Sequence, residues 1–303
     1  MTTKRHTLCI AVSAAILATP FAAAAGPADA PNPNDGMRYL SVDALSDKLG
    51  NQQVLSTLSL PVGRSAWVQA GVGKARNNAQ NGGQRPGIFT GAVGVAGESY
   101  QLTVNTAQRF DGSRFRQQDW GSSLDWKHGG SSVGVDLAHR RARTSGTTGA
   151  SAVPTQTSVS GTGFGGHGVL RLSEHVSVYG AATHNHYKTS VQQAAMTPPG
   201  GLLSGNPLLG QVLFGGVSAV NIDEVALDHS AQVGTTYRWS KVAVSAEYTT
   251  GQVHDNGGAM HSVDVKAAVD VAPGWRVASG VGRSSSQQSG QATFALVSAA
   301  YGW

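Results

Sequence analysis

The chain has 303 residues with a formal net charge of +5, and only 13% of them are charged against 40% hydrophobic, with 40 glycines. Beyond residues 1–25 no stretch approaches the roughly 20 apolar residues of a spanning helix, and the single cysteine, Cys9, lies within that leader. Helical membrane spans, disulfides and thiol chemistry are therefore excluded for the mature chain, and the absence of a basic run excludes nucleic acid as a partner.

The N-terminus reads as a secretory signal peptide. Lys4, Arg5 and His6 precede an apolar run from Thr7 to Ala25, and Ala23 with Ala25 forms an A-x-A cleavage pattern. A cut after Ala25 is expected, because a cut at Ala30 would leave Pro31 first. Cys9 comes too early to be a lipoprotein cysteine. The expected organisation is a signal peptide at 1–25, a flexible segment at 26–36 and one β-domain at 37–303.

From there the sequence alternates with period two, the signature of strands exposed differently on two faces. Leu40, Val42 and Ala44 mark a first strand within Arg38 to Ser46, and Gln53 to Leu60 a second. Ala66, Val68, Ala70 and Val72 oppose Trp67 and Gln69. Phe89, Val93 and Val95 follow, then Tyr100, Leu102 and Val104 against Gln101, Thr103 and Asn105. Trp120, Leu124 and Trp126 alternate with Ser123, Asp125 and Lys127, and Val133, Val135 and Leu137 with Ser132 and Asp136. Leu170 with Leu172, and Val176 with Val178, mark two more. The cleanest signals come late. Val225 to Tyr237 opposes Asp228, Ser230, Gln232, Thr236 and Arg238. Val242, Val244, Ala246 and Tyr248 oppose Ser245, Glu247 and Thr249. Val263, Val265, Ala267, Val269 and Val271 oppose Ser262, Asp264, Lys266 and Asp270.

The last strand ends the chain. Thr293, Ala295, Val297, Ala299, Tyr301 and Trp303 share one face, and Ser298, Ala300 and Gly302 the other. An alternating strand that stops on an aromatic residue resembles the terminal signal of Gram-negative outer-membrane β-barrels. The resemblance implies a cell outer membrane location, with Tyr301 and Trp303 as the membrane-insertion signal read by the barrel-assembly machinery, and outer-membrane lipid as the surrounding partner.

The connections fit that expectation. Short turns are predicted at Pro61 to Arg64, Gly97–Glu98, His128 to Gly130, Ser173 to His175, Trp239–Ser240 and Pro273–Gly274. Mostly longer polar connections alternate with them: Asn77 to Pro86, Asp111 to Phe115, Thr144 to Gln156, Ser190 to Ile222, His254 to Gly258 and Gln287 to Gly290. Short periplasmic turns and longer external loops are the two rims of a spanning barrel. If the final strand descends to the periplasm, counting backward requires an ascending strand before Gln53 to Leu60, and Arg38 to Ser46 supplies it. The predicted fold is all-β: a closed, antiparallel, up-and-down transmembrane β-barrel of 14 strands. Twelve is the alternative, with residues 26–60 as a periplasmic segment or plug. Closure is required either way, since an open edge in lipid leaves backbone groups unpaired.

By parity, Asp125, Lys127, Asp136, Arg140, Arg171, Asp228, Arg238, Glu247, Asp264, Lys266, Asp270 and Arg276 project inward. They could line a pore for a small polar solute or form a salt-bridged interior. The long external loop at about 190–222 is rich in Leu and Pro, as either a constriction of the mouth or a surface loop. His184 and His186 share a face, but no Cys or carboxylate cluster completes a metal site. Asn185–His186 resembles the Asn-His pair of the outer-membrane phospholipase, without its downstream serine. No catalytic site, cofactor or metal is assigned. The expected function is a pore or channel for small polar solutes; the alternatives are a plugged structural or surface-interaction barrel, and the outer-membrane component of an export system.

Overall fold

A computed structural model of the protein describes residues 38–48, 51–76, 85–112, 115–148, 153–191, 227–253, 258–286 and 290–303. All regular structure in it is β. The strands are β1 (Tyr39–Asp47), β2 (Gln52–Val62), β3 (Ala66–Arg76), β4 (Gly87–Ala96), β5 (Tyr100–Asp111), β6 (Phe115–His128) and β7 (Ser131–Thr148). They continue as β8 (Val153–Arg171), β9 (Val176–Val191), β10 (Leu227–Trp239), β11 (Val242–Val253), β12 (Ala259–Ala272), β13 (Trp275–Ser286) and β14 (Gly290–Gly302). Each pairs antiparallel with its sequence neighbours, and β1 pairs with β14, so the sheet closes as a 14-strand barrel. At the seam, Arg38 and Trp303 exchange backbone hydrogen bonds of 3.2 and 3.0 Å. Followed once round the wall, the pairings shift the register by about 14 residues, a stagger that goes with strands tilted by roughly 35–45° and a backbone diameter of about 26 Å.

The outward face is apolar because it has hydrocarbon to face. Val68, Val93, Leu102, Val135, Val265 and Val297 are all exposed there. Aromatic rings bound the band. Near the short turns stand Tyr100, Trp126, Tyr237 and Trp239, and Trp275, Tyr301 and Trp303 stack in series with centroids 4.8 and 5.7 Å apart. Towards the other rim Phe89 stacks on Phe110 at 5.6 Å, with Trp120, Phe164 and Tyr248 further round. At ~3.3 Å per residue and a tilt of roughly 40°, Tyr100 and Phe110 stand about 25 Å apart along the axis, the height of a spanning apolar band.

All the short turns predicted from sequence lie on one rim, which also holds the β1–β14 ends. Their glycines explain their tightness: Gly129 and Gly130 take φ of 57 and 83°, and Gly274 takes 74°, the left-handed values that two-residue hairpins need. The opposite rim differs from expectation at Thr144 to Gln156. Most of that stretch is ladder, with Thr144 paired to Thr157 and Thr148 to Val153, leaving only 149–152 between β7 and β8. Alternation is demanded only where one face meets hydrocarbon, so a hairpin extending past the band need show no period. Asp111 and Phe115 likewise pair with each other. The predicted leader at 1–25, the segment at 26–36 and the body of the predicted 190–222 loop lie outside the described residues; Ser190 and Val191 end β9.

Ser240 is the only non-glycine with positive φ among the described residues, at 50°. Ser240→Gly removes the Cβ strain of this left-handed turn residue, and we expect it to stabilise the barrel by about 1 kcal/mol, read as a higher urea midpoint in lipid vesicles.

Candidate functional site: the inward face of the barrel

Successive side chains on a strand point to opposite faces, so the parity that puts Val and Leu in the lipid puts polar residues inside. Three groups of interacting side chains form on that inner wall.

The first joins β6, β7 and β8. Asp125, Gly134 and His167 occupy one register row. Gly134 has no side chain, so the His167 ring lies across it; a Cβ at that position would meet ring atom Cε1 at 2.5 Å. From there Nε2 reaches Asp125 Oδ1 at 2.7 Å and Nδ1 reaches Asp136 Oδ2 at 2.6 Å. Both contacts are satisfied when each ring nitrogen carries a hydrogen, making the imidazolium a bridge between two carboxylates. Ser123 Oγ donates to Asp125 Oδ2 at 3.0 Å, and Lys127 Nζ donates to Gln101 Oε1 at 2.6 Å.

Higher on the same wall, Arg140 Nε donates to Asp119 Oδ1 at 2.8 Å while Gln117 Nε2 donates to Asp119 Oδ2 at 2.7 Å. Arg109 reaches Gln53 Oε1 of β2 at 3.3 Å.

The third group crosses β9 to β12. Tyr179, Gly234, Glu247 and Asp264 share a row. The Tyr179 ring lies over Gly234 and its hydroxyl donates to Glu247 Oε2 at 2.9 Å. Lys266 Nζ stands 3.1 Å from Asp264 Oδ1, so the adjacent carboxylates Glu247 and Asp264 have a cation beside them.

The remaining predicted residues sit nearer the rims. Arg276 forks onto Asp270, with Nε to Oδ1 at 2.5 Å and Nη2 to Oδ2 at 2.9 Å. Arg171 is exposed beside the short turn, its Nε donating to the Ser173 carbonyl at 3.3 Å. Asp228 and Arg238 stand at opposite ends of β10. Parity arguments missed Asp119, Arg109, Tyr179 and His167. His167 sits in the run Gly165-Gly166-His167-Gly168, where glycines erase the alternation that would have flagged it. Asn185 lies inward over Gly163 whereas His186, the next residue, faces out, so the pair cannot share one site. Among the described residues no three His, Cys, Asp or Glu side chains gather as a metal site.

Charge is unevenly spread around the wall. The inward positions of β2, β3 and β4 carry none; Leu55, Ala75 and Ile88 pack there with Ala107 of β5, and Trp67 lies over Gly94. Apart from Asp43 and Asp47 on β1, the ionic side chains cluster from β5 through β13.

No protein-family model matches the sequence, and a comparison with curated proteins gives no match. Among solved structures the chain is similar to the CymD monoaromatic hydrocarbon channel, with a TM-score of 0.53 and 10% identity over 89% of this chain and 90% of that one. It is also similar to OmpT of Vibrio cholerae, with a TM-score of 0.46 and 13% identity over 88% and 97% of the two chains. For the KdgM porin in complex with disordered oligogalacturonate the values are 0.43 and 8%, over 88% and 99%. The first likeness shows a shared outer-membrane β-barrel fold; the other two superpose too loosely to add to it.

The rings laid over glycines make a testable contrast. In Gly234→Ala the new Cβ collides with the Tyr179 ring, breaks its bond to Glu247 and costs about 1–3 kcal/mol. In Gly91→Ala the Cβ meets nothing closer than 3.6 Å, and we expect little change. Urea unfolding of both variants in lipid vesicles checks the difference.

Proposed function

We propose that the protein is an outer-membrane pore for small polar solutes. One observation carries this reading. The large inward side chains Trp67, His167, Tyr179 and Phe294 each lie over a glycine of the neighbouring strand, Gly94, Gly134, Gly234 and Gly282. Their bulk is spread along the wall rather than stacked towards the axis of a barrel about 26 Å across. Here paired carboxylates and cations face inward and can replace part of a solute's hydration shell.

In this reading the leader at 1–25 directs export and is removed, and the assembly machinery reads the final strand through Tyr301 and Trp303. No bond chemistry, cofactor or metal takes part. Arg140, Asp119, Asp136, Glu247 and Lys266 set the field that a permeating ion meets.

A second reading, a plugged barrel, draws on burial. Ala107 is 0% exposed, and Ile88, Trp67 and Tyr179 are 1% exposed, although all face inward. Conductance separates the two. The refolded protein in a planar bilayer gives stable current steps if it is a pore; a silent bilayer from protein with heat-modifiable migration supports the plug. For a pore, Arg140→Gln removes an inward cation while leaving Asp119 in place. A unit charge acting at about 4 Å in water is worth ~1 kcal/mol, so the cation-to-anion permeability ratio should rise about twofold to fivefold, read as a reversal-potential shift in a KCl gradient.

A further inference from the structure

Every carboxylate on a described strand occupies an inward position, and none faces out. The outward positions do carry cations, all near the long-loop rim: Lys74 and Arg76 on β3, Arg116 on β6, Arg141 and Arg143 on β7, Lys188 on β9 and Arg283 on β13. The register gathers them. Arg116 and Arg143 are direct cross-strand partners, and Lys74, Phe110 and Arg116 fall on the same row. Arg141 and Lys188 flank Ser160 on either side.

Like charges directly opposite one another on a sheet repel. Arg116, Arg141, Arg143 and Lys188 form no ion pair among the described residues; the connections 113–114 and 149–152 hold no Asp or Glu, whereas 192–226, which follows β9, holds Asp223 and Glu224. An anion from outside the chain would relieve that repulsion. The faces on which the cations stand show which one. On β7 the outward residues run Val133, Val135, Leu137, His139, Arg141, Arg143; on β9 they run Val178, Gly180, Ala182, His184, His186, Lys188. Each climbs from hydrocarbon level through histidine to a fixed cation. Arg116 is the cross-strand partner of Phe110, at the upper edge of the apolar band. That is the depth of lipid headgroups, on the same surface that holds the acyl chains.

We infer that the outward face of β6–β9 binds the headgroup of a multiply phosphorylated lipid in the outer leaflet. Arg116 and Arg143 take one phosphate between them, Arg141 and Lys188 contact another, and Leu137 with Phe164 below them lie against the acyl chains. A guanidinium pair suits a phosphate because each fork can donate two parallel hydrogen bonds. The site rests on the barrel spanning a membrane, but not on its conducting.

The test uses the full refolded chain in vesicles of phosphatidylcholine alone, or phosphatidylcholine with diphosphoryl lipid A, with dephosphorylated lipid A, or with phosphatidylglycerol. The readout is the temperature at which the folded band converts on a gel. Diphosphoryl lipid A should raise it by about 5–10 °C over phosphatidylcholine, with a much smaller rise for the other two lipids. The variant R116Q/R141Q/R143Q/K188Q should melt no lower than the wild type in phosphatidylcholine and should lose the lipid A shift. Equal shifts with and without the phosphates, an equal shift with phosphatidylglycerol, or a variant that keeps the shift would each overturn the inference. The comparison of the two lipid A forms needs only the wild type, so it decides even where the variant fails to fold. A pore that proves silent leaves this result untouched.

Discussion

Hydrocarbon offers no hydrogen-bond partner, and the rest of this structure depends on that. Every N–H and C=O at membrane depth must find a mate within the chain, at a cost of several kcal/mol for each that does not. A sheet meets the demand only by having no edge. The pairing of β1 with β14, ending in the reciprocal bonds of Arg38 and Trp303, is thus the contact that makes the other strands tenable. It also places both ends of the barrel on the short-turn rim.

Closure divides the residues between two solvents. One parity meets lipid and the other meets the enclosed space, so a single repeating pattern generates both surfaces. The carboxylates follow this division completely on the described strands. Inside, each can be given a cation or a hydroxyl, as Asp119 is by Arg140 and Asp125 by His167. Outside, the described strands carry no carboxylate, and their fixed charges are long basic side chains able to reach up from the apolar band.

This division is why much of the fold was legible in the sequence. Val263 to Val271 and Val242 to Tyr248 are confined by lipid on one side, and their strands are found where the alternation puts them. The final strand gave direction, and the turns gave the strand number. Legibility faded where the lipid no longer constrains: the end of the β7–β8 hairpin looked like a loop because its sequence does not alternate. The inner wall was legible only as parity. Asp125, Glu247 and Lys266 could be assigned a face but not a partner, since partners are set by cross-strand register. His167 reaches Asp125 only because Gly134 stands between them, two strands apart in space and far apart in sequence.

The rings laid over glycines settle one more question, that of alignment. A strand that slid by one residue would turn its apolar side chains inward, and the lipid would forbid it. A slide of two residues keeps both faces intact, so neither hydropathy nor backbone pairing resists it strongly. It would, however, set the Tyr179 ring against the Cβ of Gln232 or Thr236 in place of Gly234, and in one direction the Phe294 ring against the Cβ of Ser284 in place of Gly282. Trp67 and His167 meet the same obstacle at Gly94 and Gly134. These pairs act as keys in slots: they reject the one class of misassembly that the two-solvent rule lets through.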